Sequence, residues 1–304
     1  MSGISRRALL GAVPLAGLAS RSGAGASPVG FVVVGDWGRG GTEHQRDVAA
    51  AMGAAAAATG SAFTISTGDN FYTDGVDSAI DPQWRSSFED VYTHAALQSP
   101  WYAVLGNHDY RGTPQAQLDY AQTSRRWRMP RRYYSVFPDR AVELFFLDTS
   151  PLVQQYRLKV HSRIAENVAA QDTDAQLAWL DAALGRSTAA WKIVVGHHTL
   201  RSGGSEHGDT PEMVSRVLPI LQRHRVNVYM NGHEHDLQHI RRDGLDYICS
   251  GAGSQVRPTG PVEGTAFALA RSGFAVVRVD AAALRFEFRD FTGASVYATT
   301  ITRA

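Results

Sequence analysis

The sequence predicts an α/β fold of two packed mixed sheets flanked by helices, and three observations carry that prediction. Short, continuous apolar runs rich in β-branched residues recur along the chain and read as strands buried on both faces. Stretches with helical spacing separate several of them, and strand alternating with helix means helices laid over a sheet. After about residue 270 the alternation gives way to consecutive strand-like segments joined by tight turns, so an antiparallel portion continues a sheet. No linker and no internal repeat interrupts the pattern, which places residues 27–304 in one domain.

The chain has 304 residues, 44% hydrophobic and 19% charged, the ordinary composition of a globular protein. Its first segment does not read as fold. Arg6 and Arg7 precede a short apolar stretch, and a small-residue site, Ala24-Gly25-Ala26, follows. That is the order of regions in an export signal, and Ser5-Arg6-Arg7 with Leu9 and Leu10 resembles a bacterial twin-arginine signal. The expectations are cleavage after residues 1–26, recognition by the twin-arginine machinery, and a periplasmic or secreted protein. Cleavage would remove three arginines and no acids, taking the formal charge from +1 to −2.

The strand-like runs then come in order. "GFVVVGDWG" (30–38) opens the domain, and the alanine-rich helical stretch 43–60 follows, closing at Gly60. "FTISTGDNFY" (63–72), "WYAVLGNHDY" (101–110) and "LFFLDTS" (144–150) are the next three runs. Residues 151–172 fit no strong pattern and read either as a functional lid or as a surface excursion. A helix is expected over 172–185, with Leu177, Leu180 and Leu184 at helical spacing and Gly185 at its end. "WKIVVGHHTL" (191–200) follows, then a helix over 209–224 with Thr210 as N-cap and Pro211 in the first turn. Pro219 should kink or shorten that helix. "VNVYMNGHEHD" (226–236) and "YICSGAGS" (247–254) complete the set.

Composition excludes several functions. No basic run supports nucleic-acid binding, no apolar stretch is long enough for a membrane span, and Cys249 is the sole cysteine, so no internal disulfide forms. What remains is at the carboxyl ends of the runs. Asp36 follows the first; Asp69, Asn70 and Tyr72 the second; Asn107, His108 and Asp109 the third; His197 and His198 the fifth; His233 and His235 the sixth. Ligands of open α/β sheets bind at this edge. Carboxylates suit hard ions and imidazoles suit borderline metals. So many donors exceed one tetrahedral zinc and suit a pair of ions about 3.5–4 Å apart.

The motifs "GDWG", "GDNFY", "GNHD", "VGHH", "EHG" and "GHEHDLQ", in that order, resemble the metallophosphoesterase superfamily and look most like a purple acid phosphatase of the small, tartrate-resistant type. The resemblance runs from about residue 30 to 256. It implies a four-layer α/β/β/α sandwich and hydrolysis of phosphate monoesters by a metal-bound hydroxide. In this pattern Fe(III) is held by Asp36, Asp69, Tyr72 and His235. A divalent Fe, Zn or Mn is held by Asp69, Asn107, His197 and His233, with Asp69 bridging. Tyr72 stands in for the histidine that most relatives carry two residues after the first aspartate, a position that here is Gly38.

The same resemblance implies that His108 and His207 bind substrate phosphate and supply the general acid, and Asp109 is expected to orient His108. His198 stands where the small type has an aromatic, and either contacts substrate or packs. His44, His94, His161, His224 and His239 are expected to be surface or satisfied histidines. The arginines of "SRRWRMPRRYY" grip a second phosphate or are solvated. The enzyme is expected to act as a monomer on small phosphate esters. Rival readings are a phosphodiesterase or nucleotide pyrophosphatase with the same centre, and a binding protein on an inactive phosphatase fold.

Overall fold

The computed structural model of the chain describes residues 28–303, and the expected export signal at 1–26 lies outside them. The first apolar runs form β1 (Val29–Val34), β2 (Phe63–Ser66) and β3 (Trp101–Ala103), followed by β4 (Trp127–Arg128), β5 (Tyr134–Asp139) and β6 (Val142–Phe146). β7 (Trp191–Val195), β8 (Val228–Asn231), β9 (Leu237–Arg242) and β10 (Leu245–Ser250) come next. β11 (Thr265–Leu269), β12 (Gly273–Val279), β13 (Ala283–Asp290) and β14 (Ser295–Thr302) end the chain.

Two seven-stranded mixed sheets result. One has the order β14-β13-β12-β1-β2-β3-β4 and the other β11-β9-β10-β8-β7-β6-β5. The predicted antiparallel tail is β12–β14, which continues the first sheet by pairing β12 with β1, Val33 opposite Ala275. The site-bearing strands run parallel: β1, β2 and β3 in the first sheet, β6, β7 and β8 in the second. Their carboxyl ends therefore open at one edge.

A shared core joins the sheets, with Val33 and Ile65 from the first beside Ile193 and Met230 from the second. The helix α1 (Gln45–Thr59) covers the outer face of the first sheet through Val48, Ala49 and Met52, and its alanines let it sit close. Gly60, at φ 64°, ends it as expected. On the other side, Leu180 and Leu184 of α5 (Thr173–Arg186) and Leu221 of α6 (Leu218–Arg223) pack with Val194 and Tyr229 of the second sheet. Each such side chain contributes roughly 1.5–3 kcal/mol when fully buried. The layers are helix, sheet, sheet, helix.

Some details differ from expectation. α5 runs through Gly185 to Arg186, so that glycine is not its terminator; Asp172 caps its start, accepting from Ala175 N at 2.9 Å. The expected kink at Pro219 is a widened π-turn over Met213–Val217, directly before α6. This spares the carbonyl that the proline cannot pair. Residues 111–132, which carry the arginine-rich stretch, hold α2 (Gln115–Thr123) and β4. Arg126 neither grips a phosphate nor is solvated: it is buried, donating to the carbonyls of Phe88, Tyr92 and Leu97 and pairing with Glu89 at 2.7 Å.

Candidate metal centre

β1 and β2 are in register, Val34 opposite Ser66, so the residues after them leave the sheet side by side. Asp36 N donates to Gly68 O at 3.0 Å. Asp36, Asp69 and His233 have left-handed φ angles of 59°, 51° and 72°. Such backbone costs about 1–3 kcal/mol for a residue other than glycine and concentrates at functional sites. Gly68 is required here: its φ is +96°, and a Cβ on it would come within 2.7 Å of His197 Nδ1. Without a glycine, the second sheet's histidine could not reach the first sheet's aspartate.

The structure brings all seven candidate ligands to this edge, and all are buried. Asp69 lies between two groups. On one side the Tyr72 hydroxyl is 3.0 Å from Asp69 Oδ2, 3.1 Å from Asp36 Oδ1 and 3.0 Å from His235 Nε2. Ligand atoms of Asp36, Asp69 and His235 all fall within 4.8 Å of one another. On the other side, His197 Nε2 is 3.5 Å from Asp69 Oδ1, 3.2 Å from Asn107 Oδ1 and 3.2 Å from His233 Nδ1.

Both groups have too few protons for their acceptors. One phenol proton cannot serve two carboxylates and an imidazole. His197 donates from Nδ1 to Thr67 O at 2.9 Å, which leaves Nε2 as an acceptor facing other acceptors. Burial pushes the Asp36 carboxyl up to about 8. Burial opposes ionisation of Asp69 too, yet His197 and His108 beside it hold its carboxyl well below the usual range. Buried anions and lone pairs turned inward on each other are stabilised by cations, and the donor set fits two of them. Carboxylate and phenol oxygens dominate one side; imidazoles and an amide dominate the other.

The remaining site residues divide. His108 donates from Nδ1 to Thr73 O at 2.6 Å, its Nε2 is 3.9 Å from Asp69 Oδ2, and its backbone N donates to Asp69 Oδ1 at 2.8 Å. Burial lowers its pKa, against the pull of Asp69. His207 is exposed at the rim and stacks on His233 with ring centroids 4.0 Å apart. Its Nε2 accepts from Arg257 at 3.1 Å, and burial together with that guanidinium lowers its pKa to about 4.

Asp109 does not orient His108. Its carboxylate turns inward and accepts from the backbone N of Asn70, Phe71 and Gly106 and from Gln117 Nε2. It knits the loops after β2 and β3 together. His198 packs: Thr149 Oγ1 meets its Nδ1 at 2.8 Å and the Tyr156 hydroxyl meets its Nε2 at 2.9 Å. It still borders a cleft of ≈ 420 Å³ beside His207 and His233. Of the histidines outside the motifs, His239 is buried between Tyr297 and Asp246, His224 and His44 pair with aspartates, and His94 caps a short 3-10 turn.

Four supporting residues escape sequence reasoning. Thr149 accepts from the backbone N of His197 and His198. Glu234 Oε1 accepts from the backbone N of His207 and Gly208 and so places the rim loop. Arg257 meets His207, and Arg39 lies over the Tyr72 ring. The polar end of the fourth strand-like run was a signal for Thr149, and the "GHEHDLQ" motif was one for Glu234; Arg39 and Arg257 lie just beyond the quoted runs.

Comparison with known proteins bears on this geometry. The family model described as calcineurin-like phosphoesterase matches residues 30–237. Purple acid phosphatase 3 of Arabidopsis thaliana is 41% identical over 278 residues, covering 87% of this chain and 75% of that protein. Tartrate-resistant acid phosphatase type 5 of Sus scrofa is 35% identical over 243 residues, covering 75% and 71%. Among solved structures, GAP50, the anchor in the inner membrane complex of Plasmodium, superposes with a TM-score of 0.77 at 24% identity, covering 91% of this chain and 90% of that one. A purple acid phosphatase from yellow lupin seeds gives 0.60 at 17%, covering 91% and 54%. These two show a shared fold.

Proposed function

Because the chain belongs to the calcineurin-like phosphoesterase family, and within it to the purple acid phosphatases, it is a binuclear metal acid phosphatase acting on phosphate monoesters, and we propose the roles of its residues. Asp36, Asp69, Tyr72 and His235 would hold one ion, and Asp69, Asn107, His197 and His233 the other. The observation that carries this assignment is Asp69, whose Oδ2 faces Tyr72 while its Oδ1 faces His197. Two carboxylates and a phenolate suit a trivalent hard ion such as Fe(III). Two imidazoles, an amide and a shared carboxylate suit divalent Fe, Zn or Mn. When bound, the ions neutralise phosphoryl charge and lower the pKa of water enough to supply a nucleophile at acid pH.

The chain's own groups do the rest. The Thr73 carbonyl accepts from His108 Nδ1, so Nε2 faces the site and, once protonated at acid pH, can pass that proton to the leaving oxygen. His207, whose Nε2 lone pair is taken by Arg257, stays neutral and, held by its stack on the His233 ring, serves to position the ester from the rim. His108→Gln is therefore expected to slow an alkyl phosphate, whose leaving group needs the proton, by about 10²–10⁴-fold. It should slow 4-nitrophenyl phosphate much less. Equal losses on both substrates would remove His108 from that role.

Metal analysis combined with turnover of 4-nitrophenyl phosphate and bis(4-nitrophenyl) phosphate across pH tests the whole reading. Two ions per chain and a monoester preference at acid pH are expected, and a diester preference would favour the phosphodiesterase alternative. We also infer twin-arginine export, cleavage near Ala26 and a monomeric mature enzyme. N-terminal sequencing of exported protein that still began at Met1 would refute the cleavage.

A further inference from the structure

Arg39 follows the first strand's "GDWG" turn and neither holds an ion nor moves a proton. Its guanidinium carbon sits 3.8 Å from the centroid of the Tyr72 ring, over the ring face. The placement is built in several ways. Arg39 Nε donates to Ser254 Oγ at 3.2 Å, and that hydroxyl in turn donates to the carbonyl of Asp36 at 2.5 Å. The Arg39 backbone N donates to Oε1 of Gln45 at 3.1 Å, and this fully buried amide is itself held by Ser87 O. Tyr72 N donates to Gly38 O at 2.8 Å, so the loop bearing Arg39 and the loop bearing Tyr72 are paired directly.

A guanidinium over an aromatic face is attracted by the ring's electrons, and more strongly as the ring gains negative charge. We propose that Arg39 sets the electron-donating power of the Tyr72 phenolate toward the ion it ligates, and through it the colour and reduction potential of that ion. This rests on the reading of Tyr72 as a ligand. The cation lies over the ring, and the hydroxyl end faces Asp36, Asp69 and His235. It therefore holds electrons on the ring, raises the energy of ring-to-metal charge transfer, and favours the reduced ion over the oxidised one. Arg39 is a tuning residue, acting on the ion through the Tyr72 ring.

The test compares iron-loaded wild type, Arg39→Gln, Arg39→Lys, Ser254→Ala and Tyr72→Phe, with visible absorbance normalised to bound iron and midpoint potential read by mediated redox titration. Arg39→Gln should move the visible band to longer wavelength and lower the midpoint potential. Arg39→Lys keeps the charge without the planar stack and should fall between. Ser254→Ala, which removes the anchor of the guanidinium together with the bond to the Asp36 carbonyl, should shift both readouts in the same direction by less, and it serves if Arg39→Gln misfolds. A band and potential unchanged in Arg39→Gln or, should that variant misfold, in Ser254→Ala overturn the proposal while leaving Tyr72 a ligand. No visible band in wild type, or a band that survives Tyr72→Phe, overturns the ligand reading and this inference with it.

Discussion

At the scale of single residues, the site depends on one carboxylate seen from two sides. Asp69 has one oxygen toward Tyr72 and the other toward His197, and its left-handed backbone turns it there. Asn107 belongs to the second group alone. Asn107→Ala should empty the second ion site and leave the first. Turnover should fall by more than the about 10–100-fold that removing an outer partner costs. Metal analysis would read one ion per chain, and two ions with near-normal turnover would exclude Asn107 as a ligand. Asp109 predicts a different signature. Its buried carboxylate takes three backbone donors and a glutamine, and each donor left without a partner costs about 1–3 kcal/mol. Asp109→Ala should therefore lower unfolding free energy by several kcal/mol in a denaturant titration. A stable variant with only its rate reduced would return Asp109 to a catalytic role.

At the scale of elements, parallel strands deliver the donors and short connections hold them. The segment after β6 is a docked cover with its own structure: α3 (Gln154–Arg157) supplies Tyr156 to His198, and α4 (Arg163–Ala169) supplies Asn167. The Asn167 amide donates to the carbonyls of Tyr110 and Gly112 at 2.8 and 2.9 Å, next to the His108 loop. Asn167→Ala should speed amide hydrogen exchange in residues 151–172 and in the loop around His108. Unchanged exchange in both would mean the cover is held elsewhere. The strand ends were legible because a polar residue straight after a buried apolar run is visible in one dimension. The cover was not, because what orders it are partners in other loops. Arg126 misleads for the same reason: in a charged stretch it looks solvated, while the carbonyls that enclose it come from residues 88–97. The π-turn before Pro219 was half legible, since proline announces a disruption but not its form.

At the scale of the whole molecule, the centre sits where two sheets meet. Asp36, Asp69, Tyr72 and Asn107 come from loops of the first sheet, and His197, His233 and His235 from loops of the second. Backbone bonds cross the same seam, Gly35 N to Ser250 O at 2.8 Å and Gly253 N to Gly35 O at 3.0 Å. Bound ions would thus join the two halves of the fold. The most direct measurement is a crystal structure of protein loaded with iron and zinc, with anomalous scattering recorded at both metal edges. Two peaks about 3.5–4 Å apart are expected, one on each side of Asp69, with iron beside Tyr72 and zinc beside Asn107. A single peak, or peaks that do not share Asp69, would contradict this.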